Sequence, residues 1–331
     1  MTITTRLTRL LGVTHPVMLA AMDVVADARL TLAVSEAGGF GILGGGYGDA
    51  GWLEAELPVL VAGRASSGLR FGIGFITWSL AKQPHLLDIA LDAKPDAVWL
   101  SFGDPEPFAG RIKAAGALVI CQIQSVAMAR DAVAKGADIV VAQGAEAGGH
   151  GASRGTFALV PAVADAVGDK AVVVAAGGVA EGRGLAAALM LGAEGVVVGT
   201  RLYASLEAAG HGAAKERIVA ASGDDTVRGL VFDISRQNVW PAPFTGRCLV
   251  NDHSRRWTGR EVELMQNVAS EMPRYLAARA AGDFDTAAVI AGESVALVHD
   301  IAPAGVIVRE MVEKAEALLA VGQGGSVRVG A

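Results

Sequence analysis

The chain has 331 residues, 52% hydrophobic and 5% aromatic, with Lys+Arg 28 against Asp+Glu 34 for a net charge of −6. So much apolar residue supplies a large core and excludes wholesale disorder. The lack of any basic block excludes a nucleic-acid surface, which needs clustered positive charge.

The apolar residues fall into short continuous runs separated by helical patterns. Strand one lies over 15–22; Asp27 then caps a helix over 28–37 that Gly38-Gly39 stops. Strand two covers 40–43, with a helix over 52–62. Strand three covers 70–76, with a helix over 85–91. Strand four spans 97–102, followed by a helix over 106–115. Strand five spans 117–123; Ser125 caps the helix over 126–135, and Gly136 ends it. Strand six, from Ile139, runs into Ala142-Gln143-Gly144-Ala145-Glu146-Ala147-Gly148-Gly149-His150-Gly151, with a helix over 158–167. Strand seven covers 171–176, its helix 181–191, and strand eight 195–198.

These strands are continuously apolar, as expected where helices cover both faces of a parallel sheet. Eight βα units in roughly the first 210 residues predict an α/β protein of the (β/α)8 TIM-barrel class. An open doubly wound sheet would usually carry its phosphate glycines after strand one, where no G-x-G-x-x-G stands. After Ala221 the strand-like runs vanish. We therefore expect a barrel from 1–222 and 299–331, and a small, mostly helical insertion over 223–298 that acts as a substrate lid. A last amphipathic helix over 304–321 would rejoin the barrel wall, leaving 322–331 as a frayed tail.

The N-terminus has no apolar signal core, and no apolar stretch is long enough to span a bilayer. Cys121 and Cys248 stand far apart in no metal-like spacing, which suits a reduced, cytoplasmic setting with both thiols inert. No two histidines have metal-ligand spacing with a carboxylate partner, so no catalytic metal is expected.

Chemistry in such folds sits at the C-terminal ends of strands. The loop after strand six puts His150 between glycines that leave its imidazole uncrowded, a reactive histidine or a plain loop histidine. Gly177-Gly178 and Gly199-Thr200 end strands seven and eight, where barrels of this type often bind phosphate on backbone N–H groups. Either turn alone is most simply a turn. The pair favours phosphate, with Thr200 adding a hydroxyl, and leaves space across the barrel mouth for a flat cofactor.

Several stretches resemble the nitronate monooxygenase (2-nitropropane dioxygenase) family of FMN-dependent TIM barrels. They are Leu32-Ala33-Val34-Ser35-Glu36-Ala37-Gly38-Gly39-Phe40-Gly41, Gln143-Gly144-Ala145-Glu146-Ala147-Gly148-Gly149-His150, Ala175-Ala176-Gly177-Gly178-Val179, Leu191-Gly192-Ala193-Glu194-Gly195 and Val198-Gly199-Thr200-Arg201. The resemblance implies FMN as cofactor, its phosphate on Gly177, Gly178, Gly199 and Thr200. It implies backbone contact to the flavin from Ala20, Ala21 and Met22, and a side chain, here Gln122, near the pyrimidine edge. It implies that His150 faces the substrate as base or hydrogen-bond donor, and that an alkyl nitronate is oxidised by oxygen to a carbonyl compound and nitrite. Gly149, Glu146 and Ser101 are the candidates for the substrate pocket. Glu146 would orient the 148–150 loop by accepting from its backbone N–H groups or stand as a solvated carboxylate, and Trp240 and Trp257 would wall the pocket or fill the core.

Two departures stand out. Leu19-Ala20-Ala21-Met22 replaces the family's usual Gln-Ala-Pro-Met, and Gly74 stands where the family often has asparagine. The partners expected are a small-molecule substrate and oxygen; a homodimer is compatible with the sequence. The alternative is an NAD(P)H-dependent flavin reductase of the same superfamily, acting on an enoyl thioester or a quinone. A third is a non-catalytic sensor of flavin or another phosphate ligand.

Overall fold

The computed structural model describes residues 3–321, so the 322–331 tail lies outside the described residues. In chain order the strands are β1 (Val17–Leu19), β2 (Gly41–Gly46), β3 (Phe71–Ile76), β4 (Ala97–Ser101), β5 (Leu118–Ile123), β6 (Ile139–Gln143), β7 (Gly149–Gly151), β8 (Val172–Ala176), β9 (Val196–Val198), β10 (Thr226–Gly229) and β11 (Thr245–Leu249). Eight of them form one parallel sheet in the order β1-β9-β8-β6-β5-β4-β3-β2. The sheet closes on itself where Met18 bridges Phe40 in parallel, with the Leu19 N–H donating to the Phe40 carbonyl at 2.9 Å. It is a TIM barrel. The predicted strands seven and eight are β8 and β9, because the His150 loop contributes a short strand of its own.

The helices start where the sequence provides caps. The Asp27 side chain accepts from Leu30 N–H and begins the helix Ala28–Glu36; Ser125 accepts from Met128 N–H and begins Val126–Ala134. The barrel interior is filled by inward residues of alternate register, among them Met18, Ile42, Trp99, Ile120, Val141 and Val174. Leu7 and Leu11 of the N-terminal helix Arg6–Leu11 join that cluster and plug the end of the barrel at the strands' N-termini. All polar chemistry is thereby left to the opposite mouth. The last helix, Ala304–Val321, packs against the helices Gly182–Met190 and Ala28–Glu36.

The segment beyond residue 222 is mostly helical, as expected, but it also holds strands where none was expected. Helices are present in it, Val268–Ala281 the longest, but so are β10 and β11, which pair antiparallel with each other, and β11 also pairs antiparallel with β7 to make a three-stranded sheet. These strands escape a search for apolar runs because Thr226-Val227-Arg228-Gly229 and Thr245-Gly246-Arg247 are half-buried, polar and short. Their consequence is positional: Gly246 is the register partner of His150, so the insertion is hydrogen-bonded to the His150 loop itself. A second apolar cluster (Phe232, Cys248, Tyr275, Phe284, Val289 and Val295) joins the insertion to Ala204, Ala214 and Ile218 beside the barrel. Burial pushes the thiols of Cys121 and Cys248 up to about 12, which leaves both unreactive near neutral pH. Among the described residues no helix is long and apolar enough to cross a membrane, and no group of His, Cys, Asp and Glu has metal-binding geometry.

Candidate active site

A cavity of about 390 Å³ opens at the C-terminal ends of the strands. It is lined by Ala20, Ala21, Met22, Ser101, Gln122, Glu146, Gly149, His150, Gly177, Gly178, Gly199 and Thr200, and also by Gly74. These residues therefore share one space, though they come from seven different barrel strands or the loops that follow them.

One side of the cavity is a cradle of backbone. Gly177 and Gly178 have φ of +99° and +76°, which L side chains rarely adopt, so both positions call for glycine. Among the described residues, the N–H groups of Gly178, Val179, Gly199 and Thr200 make no hydrogen bond to protein. Thr200 Oγ1 accepts from the Gly292 N–H at 2.9 Å, so its own O–H remains free to donate. Unengaged N–H groups converging from two adjacent strand ends suit an anion such as a phosphate. The N–H groups of Ala21 and Met22 are likewise unengaged, whereas that of Ala20 is used by the Val198 carbonyl at 3.0 Å. The residues present would suit a cofactor with an anionic end, which the cradle of free N–H groups could hold.

At the departure site, a Cβ built on Gly74 would lie 2.3 Å from the Ala21 Cβ. In this backbone the Ala21 Cβ occupies the space a side chain at position 74 would need.

Three amides join β5 and β6 to the histidine. The backbone carbonyl of His150 can only accept, so the Gln143 group at 3.0 Å from it is the Nε2 amide. Gln143 Oε1 then accepts from Gln122 Nε2 at 2.9 Å and from Gln124 Nε2 at 2.8 Å. One N–H of Gln122 is thereby committed, and its other N–H and its carbonyl oxygen remain for a ligand.

Glu146 acts differently from expectation. Its carboxylate accepts from the Thr156 N–H at 2.9 Å and from Thr156 Oγ1 at 2.8 Å. It caps the helix Thr156–Val167, whose N-cap Gly155 has no side chain to do so, and it takes no N–H bond from the 148–150 loop. That loop is held instead by arginines of the insertion. Arg228 Nη2 donates to the carbonyls of Ala145 and Ala147 at 2.9 and 3.1 Å, and Arg247 Nε to that of Ala145 at 3.0 Å. Burial together with neighbouring Arg247 lowers the Arg228 guanidinium to about 10.

His150 sits opposite the cradle. Its Nε2 lies 2.8 Å from Asp233 Oδ2, and the two side chains are only 9% and 6% exposed. Asp233 Oδ1 accepts from Arg236 Nη2 at 2.7 Å. Trp240 stacks flat on the imidazole. Its Nε1 donates to the Tyr47 hydroxyl at 2.9 Å, and Phe102 meets its edge at 5.0 Å. Phe102 is held at φ +60°, a left-handed conformation that costs a non-glycine residue roughly 1–2 kcal/mol. Such strain persists where surrounding structure demands it, here in an aromatic wall. Burial holds the imidazole below the ordinary histidine range; Asp233 offsets part of this, and Arg236 and Arg228 add to it. The surroundings thus disfavour the imidazolium form.

Of the two tryptophans weighed from sequence, Trp240 lines the cavity, whereas Trp257 is buried with Val231 and Leu264. Ser101 accepts from Trp99 Nε1 at 2.6 Å and closes the floor. His211 also lines the cavity. Sequence reasoning missed Asp233, Arg236 and Tyr47. Asp233 lies 83 residues from its partner, on a short helix with no motif around it.

The nitronate monooxygenase family profile matches residues 4–62 and 77–314. The chain belongs to the nitronate monooxygenase family. Family members are flavin oxidoreductases, and this protein is an enzyme of that kind. It is similar to a nitronate monooxygenase of Neurospora crassa, 35% identical over 91% of this chain and 89% of that one. It is also similar to a Mycobacterium tuberculosis protein, (3aS,4S,5R,7aS)-5-hydroxy-7a-methyl-1-oxo-octahydro-1H-indene-4-carboxyl-CoA dehydrogenase. That protein is 36% identical over 69% of this chain and 63% of its own length. Among solved structures, FabK from Thermotoga maritima superposes with a TM-score of 0.86 at 32% identity, covering 98% of this chain and 99% of that one.

Proposed function

We propose that the enzyme holds FMN in the barrel mouth and oxidises alkyl nitronates with molecular oxygen, giving a carbonyl compound and nitrite, and that His150 is the side chain that works on the substrate. The observation that carries this reading is the shared cavity: a buried, stacked histidine lines the same space as a cradle of free N–H groups suited to the cofactor phosphate. The N. crassa relative supports the nitronate as substrate class.

FMN, when bound, supplies the electron acceptor that no side chain offers. The chain's own residues do the rest. The N–H groups of Gly178, Val179, Gly199 and Thr200 bind the phosphate, and those of Ala21 and Met22, with Gln122, meet the ring system. Trp240 and Phe102 exclude water from the reacting side. His150, whose imidazolium form burial disfavours, takes or holds a proton in contact with the substrate.

His150→Asn should keep FMN at wild-type occupancy while turnover falls by a factor of ~10² or more, the usual scale for a lost acid–base group. Unchanged turnover would remove His150 from the reaction.

A second reading is NAD(P)H-dependent reduction of an enoyl thioester or a quinone. It is favoured by the thioester named for the M. tuberculosis relative. Rapid anaerobic bleaching of the yellow protein by NADH or NADPH would support it, and failure to bleach would remove it.

A further inference from the structure

We infer that Asp233, carried by the insertion, is a positioning residue that fixes His150 in the tautomer with its proton on Nε2 and leaves Nδ1 as the proton-accepting atom. This rests on the reading of His150 as the side chain that works on substrate. It goes beyond that reading by making part of the proton-handling machinery come from outside the barrel.

The assignment follows from which groups can only donate and which can only accept. A guanidinium has no acceptor, so the 2.7 Å contact from Arg236 Nη2 makes Asp233 Oδ1 an acceptor. The other oxygen of the same carboxylate lies 2.8 Å from His150 Nε2 and also accepts, so Nε2 carries the hydrogen. A neutral imidazole has one N–H, and Nδ1 is then the unprotonated nitrogen. Among the described residues Nδ1 has no hydrogen-bond partner. A Cβ on Gly246 would meet Nε2 at 3.5 Å and Cε1 at 3.7 Å, so the Nε2 edge is the one turned to the insertion.

The pair is also mechanically fixed. Asp233 lies on the helix Val231–Ser235, and β11 of the same insertion pairs with β7, bringing Gly246 opposite His150. Trp240 covers the ring from a third point of the insertion. The histidine thus comes from the barrel, and its orientation and proton placement come from the residues after 222.

The same logic predicts an unusual effect of an isosteric change. In D233N, Arg236 still demands an acceptor, so the new amide must turn its carbonyl to Arg236 and its NH2 to His150. Nε2 is then forced to accept, and the proton moves to Nδ1. The variant keeps size and packing but inverts the base. If Arg236 is also replaced (R236M/D233N), the amide is free to turn its carbonyl back to Nε2.

The test uses the flavin-loaded enzyme. In wild-type protein labelled with 15N-histidine, the His150 signals, assigned by their loss in H150N, should show Nε2 protonated and Nδ1 unprotonated at neutral pH. D233N should retain flavin yet lose turnover by roughly 10²-fold or more, with kcat reduced rather than KM raised. R236M/D233N should be more active than D233N. The opposite tautomer in the wild type overturns the inference whatever the variants do, and so does a D233N enzyme with wild-type kcat. A merely structural role for Asp233 would leave the double variant no better than the single one, which also contradicts it. If H150N itself keeps full turnover, the functional reading of His150 fails instead, and the two failures are told apart.

Discussion

Trp240 lies flat on His150, ring centroids 3.4 Å apart and planes within 8° of parallel. The tryptophan comes from the insertion and the histidine from the loop after β6, so the stack sets the imidazole plane across a boundary between two parts of the chain. Phe102, Trp78 and Tyr47 meet the tryptophan by their edges at 5.0, 5.5 and 6.0 Å and leave it little freedom.

Aromatic contacts of this kind contribute about 1 kcal/mol beyond area burial. Trp240→Leu should therefore cost up to roughly tenfold in kcat/KM without releasing the flavin. Steady-state kinetics beside flavin absorbance checks this; an unchanged kcat/KM would show that the stack does not matter to turnover.

The pH dependence follows from the histidine's surroundings. Burial is the main cause that lowers the imidazole, Asp233 partly restores it, and Arg236 and Arg228 lower it further. A base works only when unprotonated, and disfavouring the imidazolium extends its working range toward acid. The acid limb of kcat/KM should have its midpoint below about 6.5, the ordinary histidine value. A midpoint at or above that value would contradict the assignment.

The two glycine turns should respond differently to alanine. Gly178 needs φ of +76°, so Gly178→Ala strains the backbone that carries a cradle N–H, by roughly 1–2 kcal/mol. Gly199 has ordinary φ, and a Cβ there would meet Ala20 and Met22 only at 3.6 and 3.8 Å. Flavin titration of the apoprotein should give a Kd raised about tenfold for Gly178→Ala and little change for Gly199→Ala. Equal effects would show that backbone conformation at residue 178 does not govern affinity.

The contact between residues 21 and 74 makes a compensating pair. Gly74→Asn should cost stability, because its Cβ would lie 2.3 Å from that of Ala21. Ala21→Gly removes that contact and leaves Ile42 and Trp99 at 3.6 Å, an ordinary distance. Melting temperatures should fall for Gly74→Asn, by several degrees at about 1–3 kcal/mol of overpacking, and recover in the double variant. A double variant no more stable than Gly74→Asn would show that the clash lies elsewhere.

The barrel was legible because each of its signals is local. Continuous valine and isoleucine runs such as Val172-Val173-Val174 mark buried parallel strands, and Asp27 and Ser125 cap within three residues of themselves. His150 and the glycines of 177, 178 and 199 were visible because strand ends are where such folds place chemistry. What failed was long-range or polar. β7 is three residues of Gly-His-Gly with no apolar face, and β10 and β11 are short polar strands defined by pairing, β10 with β11 and β11 with β7. Glu146 was assigned to the adjacent loop because Thr156, its real partner, is ten residues on and identified only by the fold. The Asp233–His150 contact depends on how the insertion docks, which no local pattern encodes.

The most direct test of the account mixes the purified yellow protein with an alkyl nitronate in the absence of oxygen, then admits air. The flavin absorbance should fade with the nitronate and return with oxygen, and nitrite should appear. A protein whose absorbance ignores every nitronate tried and bleaches rapidly with NADH or NADPH would contradict the account.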